Sequence, residues 1–259
     1  MSEHISYTQI NTYTQCPLKY KFQYIDRIEW PFVPSGLSFG VAIHKVAAYY
    51  YQKKMQGAEL SPKKLAEVFE SWWKEENQNK KIQYKPSETF DKLLTKGIQL
   101  IQAFLSGQNG NRVVAVEKEF KTPLIHPQTK EQLPIPLVGF IDLIEKDSDG
   151  SFVIVDLKTA SKAFTDEKII NDLQMTCYSY VADYYKLNEK KPVHLRFDVL
   201  LKNKDCEKIQ YIVRRDQKDH QRLFQTAKSI LKAIDAQVFY PNPGFYCTDC
   251  PYSQNCQNW

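Results

Sequence analysis

The segment that most constrains the fold is a pair of apolar runs of strand length, residues 137–145 and 152–157, separated by a short Asp/Gly-rich turn. Two such runs on either side of turn residues predict a β-hairpin. If residues 148–150 form a three-residue loop, the register of the hairpin sets Asp142 opposite Asp156. The sequence therefore predicts two carboxylates at one place in a β-sheet.

The same hairpin carries a lysine. Because side chains alternate along a strand, Asp156 and Lys158 project from one face while the apolar residues between them project from the other. Charges on otherwise apolar strands are costly to desolvate unless a cation or a charged substrate compensates them. Paired carboxylates suit Mg²⁺ or Mn²⁺, and Lys158 can steady a water or the charge on phosphorus, as phosphodiester hydrolysis requires. The alternative is an edge hairpin whose Asp and Lys form a solvated ion pair.

Composition excludes several classes of protein. With 259 residues, 42% hydrophobic and 25% charged, the chain is not a disordered acidic chain, a collagen-like repeat or a membrane protein. Residues 1–14 are polar and lack the apolar stretch of a secretory signal, so we expect a cytoplasmic protein with reduced cysteines. A net charge of +5 permits DNA binding but does not require it.

The remaining patterns predict a helical first part and a mixed second part. Ser6 and Gln9 form a capping box that opens the first helix. The predicted helices are 6–16, 18–25, 37–54, 62–78, 87–105, 166–186 and 216–238. The further predicted strands are 113–120, 193–201 and 208–214, with a long loop over 123–136. We expect one domain, 1–259, with a mainly helical part (1–110), a sheet part (111–215) and a C-terminal helix and tail (216–259).

Three short motifs follow one another along the chain. They are Gly-x-x-Asp ending at Asp142, Asp-x-Lys at residues 156–158, and Gln-x-x-x-Tyr from Gln174 to Tyr178. Together they resemble the PD-(D/E)xK nuclease superfamily, and specifically its RecB-like branch. Residues 40–44 resemble the helix that supplies a metal-binding His in that branch. The resemblance implies a restriction-endonuclease-like α/β core, with a mixed central sheet flanked by helices.

The resemblance also implies roles for individual residues. The ligands of the metal ion would be His44, Asp142, Asp156 and the backbone carbonyl of Leu157. The catalytic residues would be Asp142, Asp156, Lys158 and Glu117, the last of which matches in position an acidic residue on the first core strand of relatives. Gln174 and Tyr178 lie one turn apart on a helix and would contact DNA.

A second constellation lies near the C-terminus, where Cys247, Cys250 and Cys256 follow a Cys-x2-Cys-x5-Cys pattern. Three close thiolates suit a metal ion or a cluster that takes its fourth ligand from elsewhere, and Cys16 is the candidate. A zinc ribbon normally has two close Cys pairs, whereas this chain has one. The arrangement resembles that of AddB-type, CRISPR-associated and exonuclease V relatives, which implies a [4Fe-4S] cluster with a structural role.

These observations predict a Mg²⁺- or Mn²⁺-dependent DNA exonuclease in recombination, repair or phage-type DNA processing. Two alternatives remain open: a CRISPR-adaptation nuclease that trims spacer ends, and a non-catalytic iron-sulfur module that binds DNA. The sequence has no Gly-x-x-x-x-Gly-Lys-Ser/Thr phosphate loop and therefore no ATP-driven motor. We expect a substrate that is single-stranded or open-ended DNA, a helicase or another recombination or CRISPR protein as a partner, and no membrane partner.

Overall fold

The predicted hairpin lies inside a mixed β-sheet with helices on both faces, which confirms the expected restriction-endonuclease-like α/β architecture. A computed structural model describes residues 3–187 and 191–259. In these residues the strands are β1 (Ile5–Ser6), β2 (Val33–Pro34), β3 (Ile82–Gln83), β4 (Arg112–Thr122), β5 (Leu137–Lys146), β6 (Phe152–Ala160), β7 (Val193–Leu201) and β8 (Lys208–Val213). Six of them form one sheet in the order β1-β5-β6-β7-β8, with β4 paired to β5, while β2 pairs with β3.

The strand pairs explain why the sheet is mixed. β5 runs antiparallel to both β4 and β6, and β7 runs antiparallel to β8. β6 and β7 are parallel, and so are β1 and β5. The two-residue strands β1, β2 and β3 escape sequence prediction because two residues carry no periodicity.

The helices follow the predicted pattern closely. They are α1 (Tyr7–Gln15), α2 (Pro17–Tyr20), α3 (Ser35–Met55), α4 (Pro62–Asn79), α5 (Phe90–Ser106), α6 (Asp166–Asn171), α7 (Leu173–Tyr184), α8 (Gln217–Asp235) and α9 (Ser253–Gln257). A π-helical turn, Lys21–Ile25, follows α2, and a 3-10 turn, Phe245–Cys247, precedes α9. The predicted capping box is confirmed, since Ser6 Oγ accepts from the Gln9 amide and Gln9 Oε1 accepts from the Ser6 amide. No helix in the described ranges is both long and apolar enough to cross a membrane.

The single helix predicted over 166–186 is wrong. The helix is interrupted at Asp172, whose ψ of 116° is extended, so this segment forms two helices, α6 and α7. The Asp172 carboxylate accepts a hydrogen bond from the Met175 amide at 3.0 Å and so caps α7. An Asp in the middle of a helical pattern competes with helix continuation by capping a new helix, which periodicity alone does not reveal.

The hairpin register is confirmed. Gly150 has a φ of +86°, and the Asp147 amide donates to the Ser151 carbonyl at 3.1 Å. The ladder then runs from Lys146 opposite Phe152 to Leu143 opposite Val155. The paired residues stop one step before Asp142 and Asp156, so this register brings the two aspartates together at the end of the ladder.

Two hydrophobic cores cover the two faces of the sheet. The first core packs α1, α7 and α8 on one face, with buried residues such as Ile10, Met175 and Phe224. The second core packs α3, α4 and α5 on the other face, with Phe39 and Trp73 at its centre. The sheet is thus held on both sides, which fixes the positions of the side chains along β5 and β6.

Candidate active site and cysteine cavity

β5 and β6 separate at the point where the two aspartates stand. Their ladder ends with the pair of Leu143 and Val155. Beyond it, the amide of Leu157 donates at 2.9 Å to Oδ2 of Asp142 in place of a strand carbonyl. The fork between the two strands therefore holds the Asp142 carboxylate by a backbone hydrogen bond.

A small hollow of about 20 Å³ opens beside this fork, on the face covered by α3. Its lining includes His44, Glu117, Asp142 and Leu157. The imidazole Nδ1 of His44 lies 3.6 Å from Oδ2 of Asp142. A hollow of this size holds about one water molecule or an ion of similar size. Four of the residues predicted for the site are therefore brought together.

Asp156 and Lys158 lie next to this hollow without lining it. The Lys158 ammonium is 3.0 Å from Oδ1 and 2.8 Å from Oδ2 of Asp156, whose side chain is fully buried. The same ammonium donates to Oε1 of Gln174 at 2.8 Å. Gln174 in turn donates to the Tyr178 hydroxyl at 2.9 Å, and that hydroxyl donates to the Phe140 carbonyl at 2.8 Å.

This chain of hydrogen bonds engages both residues of the Gln-x-x-x-Tyr motif inside the protein. The Tyr178 side chain is buried, and its hydroxyl satisfies a carbonyl of β5 that no β6 partner reaches. Gln174 holds the Lys158 ammonium. The arrangement couples α7 to both strands of the fork, and a direct contact of the pair with DNA stays a prediction.

Electrostatics favours binding of a further cation. Burial raises the pKa of Asp156 to about 6, an effect that Lys158 reduces and Asp142 increases, and burial also raises the pKa of Asp142. Desolvation lowers the pKa of Lys158, but the two carboxylates outweigh it and raise that pKa above its usual value. Desolvation and the Lys158 charge lower the pKa of His44, so its imidazole is neutral at pH 7. Two buried carboxylates that share one ammonium, beside a neutral imidazole, suit a metal ion.

The backbone is irregular where Asp142 and Glu117 face each other. Ile141 packs in the first core and Leu143 in the second, although residues two apart on a regular strand share a face. The register of β4 and β5 leaves Glu117 across from Asp142, and its φ is +47°. A non-glycine residue in the left-handed region costs on the order of 1–3 kcal/mol and is characteristic of functional sites.

A buried ion network behind the hollow was missed by sequence reasoning. Arg196 pairs with Glu145 at 2.9 Å and with Asp198 at 2.7 Å, and Lys208 pairs with Asp198 at 2.8 Å. Asp198 also lines the hollow. The signal was present, because Arg196 and Asp198 stand two apart in an otherwise apolar strand, as do Asp156 and Lys158.

The predicted cysteine set also comes together. Cys16, Cys247, Cys250 and Cys256 line one cavity of about 290 Å³. Burial raises the pKa of Cys256, and so do the negative charges of the other cysteines. Across the described ranges, however, no three His, Cys, Asp or Glu side chains form a ready-made metal site.

Backbone amides and aromatic residues support the cysteine cavity. The Lys19 amide donates to Cys16 Sγ at 3.4 Å, and the Gly244 amide donates to Cys247 Sγ at 3.4 Å. Beside the cavity, the Trp30 indole donates to the Tyr252 hydroxyl at 2.8 Å. The contacts join a segment near the start of the chain to its end.

Comparisons with known proteins give one partial sequence match and distant structural matches. Gene 69 protein of Mycobacterium phage L5 is 38% identical over 64 residues, a match that spans 25% of this chain and only 22% of the phage protein. A structure from Eubacterium rectale named "Putative exonuclease" has a TM-score of 0.52 at 9% identity, covering 99% of this chain and 88% of that one. The structure of SSO0001 has a TM-score of 0.44 at 12% identity, covering 100% and 87%.

The family follows from the sequence profile and not from these partial or distant matches. The profile of the PD-(D/E)XK nuclease superfamily matches residues 4–257, nearly the whole chain. Asp142, Asp156 and Lys158, the residues predicted for the motif of this superfamily, lie together at the fork. This chain belongs to the PD-(D/E)XK nuclease superfamily.

Proposed function

We propose that this protein is a Mg²⁺- or Mn²⁺-dependent deoxyribonuclease that hydrolyses phosphodiester bonds as an exonuclease. The observation that carries the proposal is the fork, where Asp142 and Asp156 leave the ladder together and Lys158 keeps its charge beside them. A sheet that only needed stability would pair these strands further and would not bury a carboxylate there.

The donor set at the hollow fits a hard divalent cation. Carboxylate oxygens, a backbone carbonyl and a neutral imidazole are ligands that Mg²⁺ or Mn²⁺ accepts, and the hollow has room for one ion. We infer that His44, Asp142, Asp156 and the Leu157 carbonyl would hold it, with Glu117 beside them. When bound, the cation would polarise the phosphate and lower the pKa of a bound water.

Lys158 has the role of charge stabilisation. Its ammonium stays protonated because the neighbouring carboxylates raise its pKa, and Gln174 holds it at 2.8 Å. Its side chain remains 30% exposed, so a phosphate can reach it. A second ammonium, that of Lys168, lies 3.5 Å above the Phe164 ring. Desolvation lowers the pKa of Lys168, and the nearby charge of Lys158 lowers it further. Two cations on one side of the fork favour an anionic strand.

Cleavage of end-labelled DNA tests the function. Linear single- and double-stranded DNA and a closed single-stranded circle are incubated with the protein and Mn²⁺ or EDTA. We expect linear strands to be degraded only with Mn²⁺ and the circle to survive. Lys158→Ala is expected to slow cleavage at least about 100-fold, because a positioned charge in the transition state is lost. Lys162→Ala is the matched control, since this exposed lysine lies four residues away outside the site.

The outcomes separate the alternatives. Because Lys158→Ala leaves a buried carboxylate without its partner, a melting curve must show that the variant folds, and Asp142→Asn provides a second variant with a smaller change. Cleavage that both variants retain would overturn the catalytic assignment. DNA binding without any cleavage by the unmodified protein would indicate the non-catalytic module.

We further propose that the cysteine cavity takes a [4Fe-4S] cluster with a structural role. Each thiolate of such a cluster binds a different iron, so the ligands stand further apart than around one zinc ion. A wide cavity lined by all four cysteines, with two amide donors aimed at sulfur, fits that requirement.

Among the processes expected for such a nuclease, similarity to a mycobacteriophage gene product favours phage-type DNA processing.

A further inference from the structure

One aromatic ring beside the fork is left in solvent. Phe140 is 59% exposed, while the next residue along β5, Ile141, is 2% exposed. Phenylalanine is among the residues most often buried. The aromatic residues of the second core follow that rule, with Trp73 and Phe39 fully buried. The exposure of Phe140 is therefore a feature of this position.

The position of Phe140 relates it to the reaction centre. Both of its neighbours on β5 face the first core, since Gly139 packs against Phe120 and Ile141 is buried there, so the Phe140 side chain projects toward the opposite face, which α3 covers. Asp142 and His44 line the hollow on that face. Two residues of strand separate Phe140 from Asp142 by about 6.6 Å. This is comparable to the distance between the base of a nucleotide and a neighbouring phosphate. A phosphate at Asp142 would bring a base within reach of the ring.

The ring stands on a fixed backbone. The Phe140 carbonyl accepts from the Tyr178 hydroxyl at 2.8 Å, and Phe140 pairs with Glu119 of β4. At Gly139, an added Cβ would lie 2.7 Å from the Phe120 ring, so the strand packs closely against that side chain. On the other edge, β6 makes no ladder pairs with β5 before Leu143, which leaves this stretch open.

We propose that Phe140 stacks on an unpaired nucleobase next to the scissile phosphate, and that the site therefore takes single-stranded DNA or the frayed end of a duplex. The inference rests on the proposed nuclease function and adds a residue that would select the single-stranded or open-ended substrate expected from the sequence. An aromatic ring binds the flat face of a base whatever its sequence, but in an intact duplex both faces are already covered by neighbouring base pairs.

Binding without cleavage tests the stacking. Fluorescein-labelled oligodeoxythymidine is titrated with the full chain in EDTA, comparing the unmodified protein with Phe140→Ala, Phe140→Tyr and Ile212→Ala. The control, Ile212, is 62% exposed on β8. Stacking on one base predicts about 5- to 150-fold weaker binding for Phe140→Ala. Phe140→Tyr should restore binding, and Ile212→Ala should bind as the unmodified protein does.

A set of oligonucleotides, each with one abasic site at a different position, adds a second binding measurement. A structural defect in the variant would not reproduce its dependence on position. At one position the missing base should weaken binding by the unmodified protein but not by Phe140→Ala. Equal binding by both proteins, or equal abasic losses at every position, would overturn the proposal. If the binding results hold and Mn²⁺ produces no cleavage, the stacking stands and the nuclease function fails.

With cleavage, Phe140→Ala should raise KM for single strands by a similar factor and leave kcat nearly unchanged, since Phe140 positions the strand and touches no reacting atom. A fall in kcat at unchanged KM would contradict the positioning role.

Discussion

The fork and the cysteine cavity differ in what holds their side chains in place. At the fork, long elements of the fold carry the groups: Asp142 and Lys158 lie on strands, and Gln174 lies on α7. In the cavity, Cys16 stands between two helices and Cys247 ends a 3-10 turn. The fork is held by two packed cores, and the cavity is held by short segments from both ends of the chain.

The pKa of a cavity thiol bears on how the cysteine cavity is stabilised. Burial raises the pKa of Cys250, with Cys247 and Cys16 adding to the shift. Without a metal the Cys250 thiol is protonated at pH 7, so it supplies no ionic bond of its own. With the proposed cluster, the cavity depends on its ligand whereas the fork depends on the fold, so we expect the two regions to respond differently to the loss of one cysteine.

The largest effect is expected from Cys250→Ser. Loss of one ligand should remove the visible absorbance and the bound iron and lower the Tm by about 10 °C, the shift that a loss of about 3 kcal/mol gives in a protein of this size. Below its Tm the variant should still cleave DNA, because the fork is built from other elements. Absorbance, iron content and a melting curve are the measurements.

The matched control is Cys206→Ser. Cys206 is buried beside Lys96, away from the cavity, and its substitution should leave iron and absorbance intact. If Cys250→Ser retained iron, the cluster assignment would be wrong. If it lost iron and cleavage together while folded, the two regions would not be independent.

A smaller effect is expected at Glu117, where the left-handed backbone lowers the stability of the fold while the carboxylate serves the proposed site. Glu117→Asn keeps a residue that tolerates a positive φ and removes the carboxylate. The free energy of unfolding should rise by about 0.5–1 kcal/mol, while cleavage slows at least about 10-fold. Chemical denaturation and a cleavage assay measure the two effects.

Glu119→Asn provides the comparison, because Glu119 lies in a paired, regular part of the same strand. Asparagine is unfavourable there, so this variant should lose stability and keep its activity. Equal losses of stability in both variants would mean that Glu117 is not strained.

Most of the scaffold could be predicted from local patterns. The hairpin register follows from one turn and the period of two, and these two features bring Asp142 and Asp156 to the same end of the β5–β6 ladder. The capping box at Ser6 is equally local.

What sequence reasoning missed depends on partners far along the chain. Phe140 is exposed in the stretch where β6 no longer pairs with β5, and the positive φ of Glu117 accompanies the change of face at Asp142. Asp156 binds Lys158 beside the hollow and does not line it. Periodicity assigns a side chain to a face, but it does not say where a strand pair ends.

The smallest expected effect is on the pH dependence of stability. It concerns the contact between α8 and α7, the helix behind the fork. His220 on α8 is buried, with its ring 3.0 Å from the Ser179 hydroxyl and 3.6 Å from the Asp183 carboxylate, both on α7. Desolvation lowers the pKa of His220, although Asp183, Asp219 and Asp216 act in the opposite direction. The unfolded chain therefore binds this proton more readily than the folded protein does.

The free energy of unfolding should consequently fall as the pH drops below about 6.5, the ordinary pKa of histidine. Above that pH, His220 should cause no such destabilisation. Between pH 8 and pH 5, the unmodified protein should lose on the order of 1 kcal/mol more than His220→Gln does. His194→Gln, at an exposed histidine on β7, should behave like the unmodified protein. Denaturation at each pH measures the difference, and parallel curves for the unmodified protein and His220→Gln would rule out His220 as the acid-sensitive contact. Because the cysteine cavity lies outside this helix pair, its iron content should not follow the His220 substitution, which separates acid loosening of the scaffold from loss of the cluster.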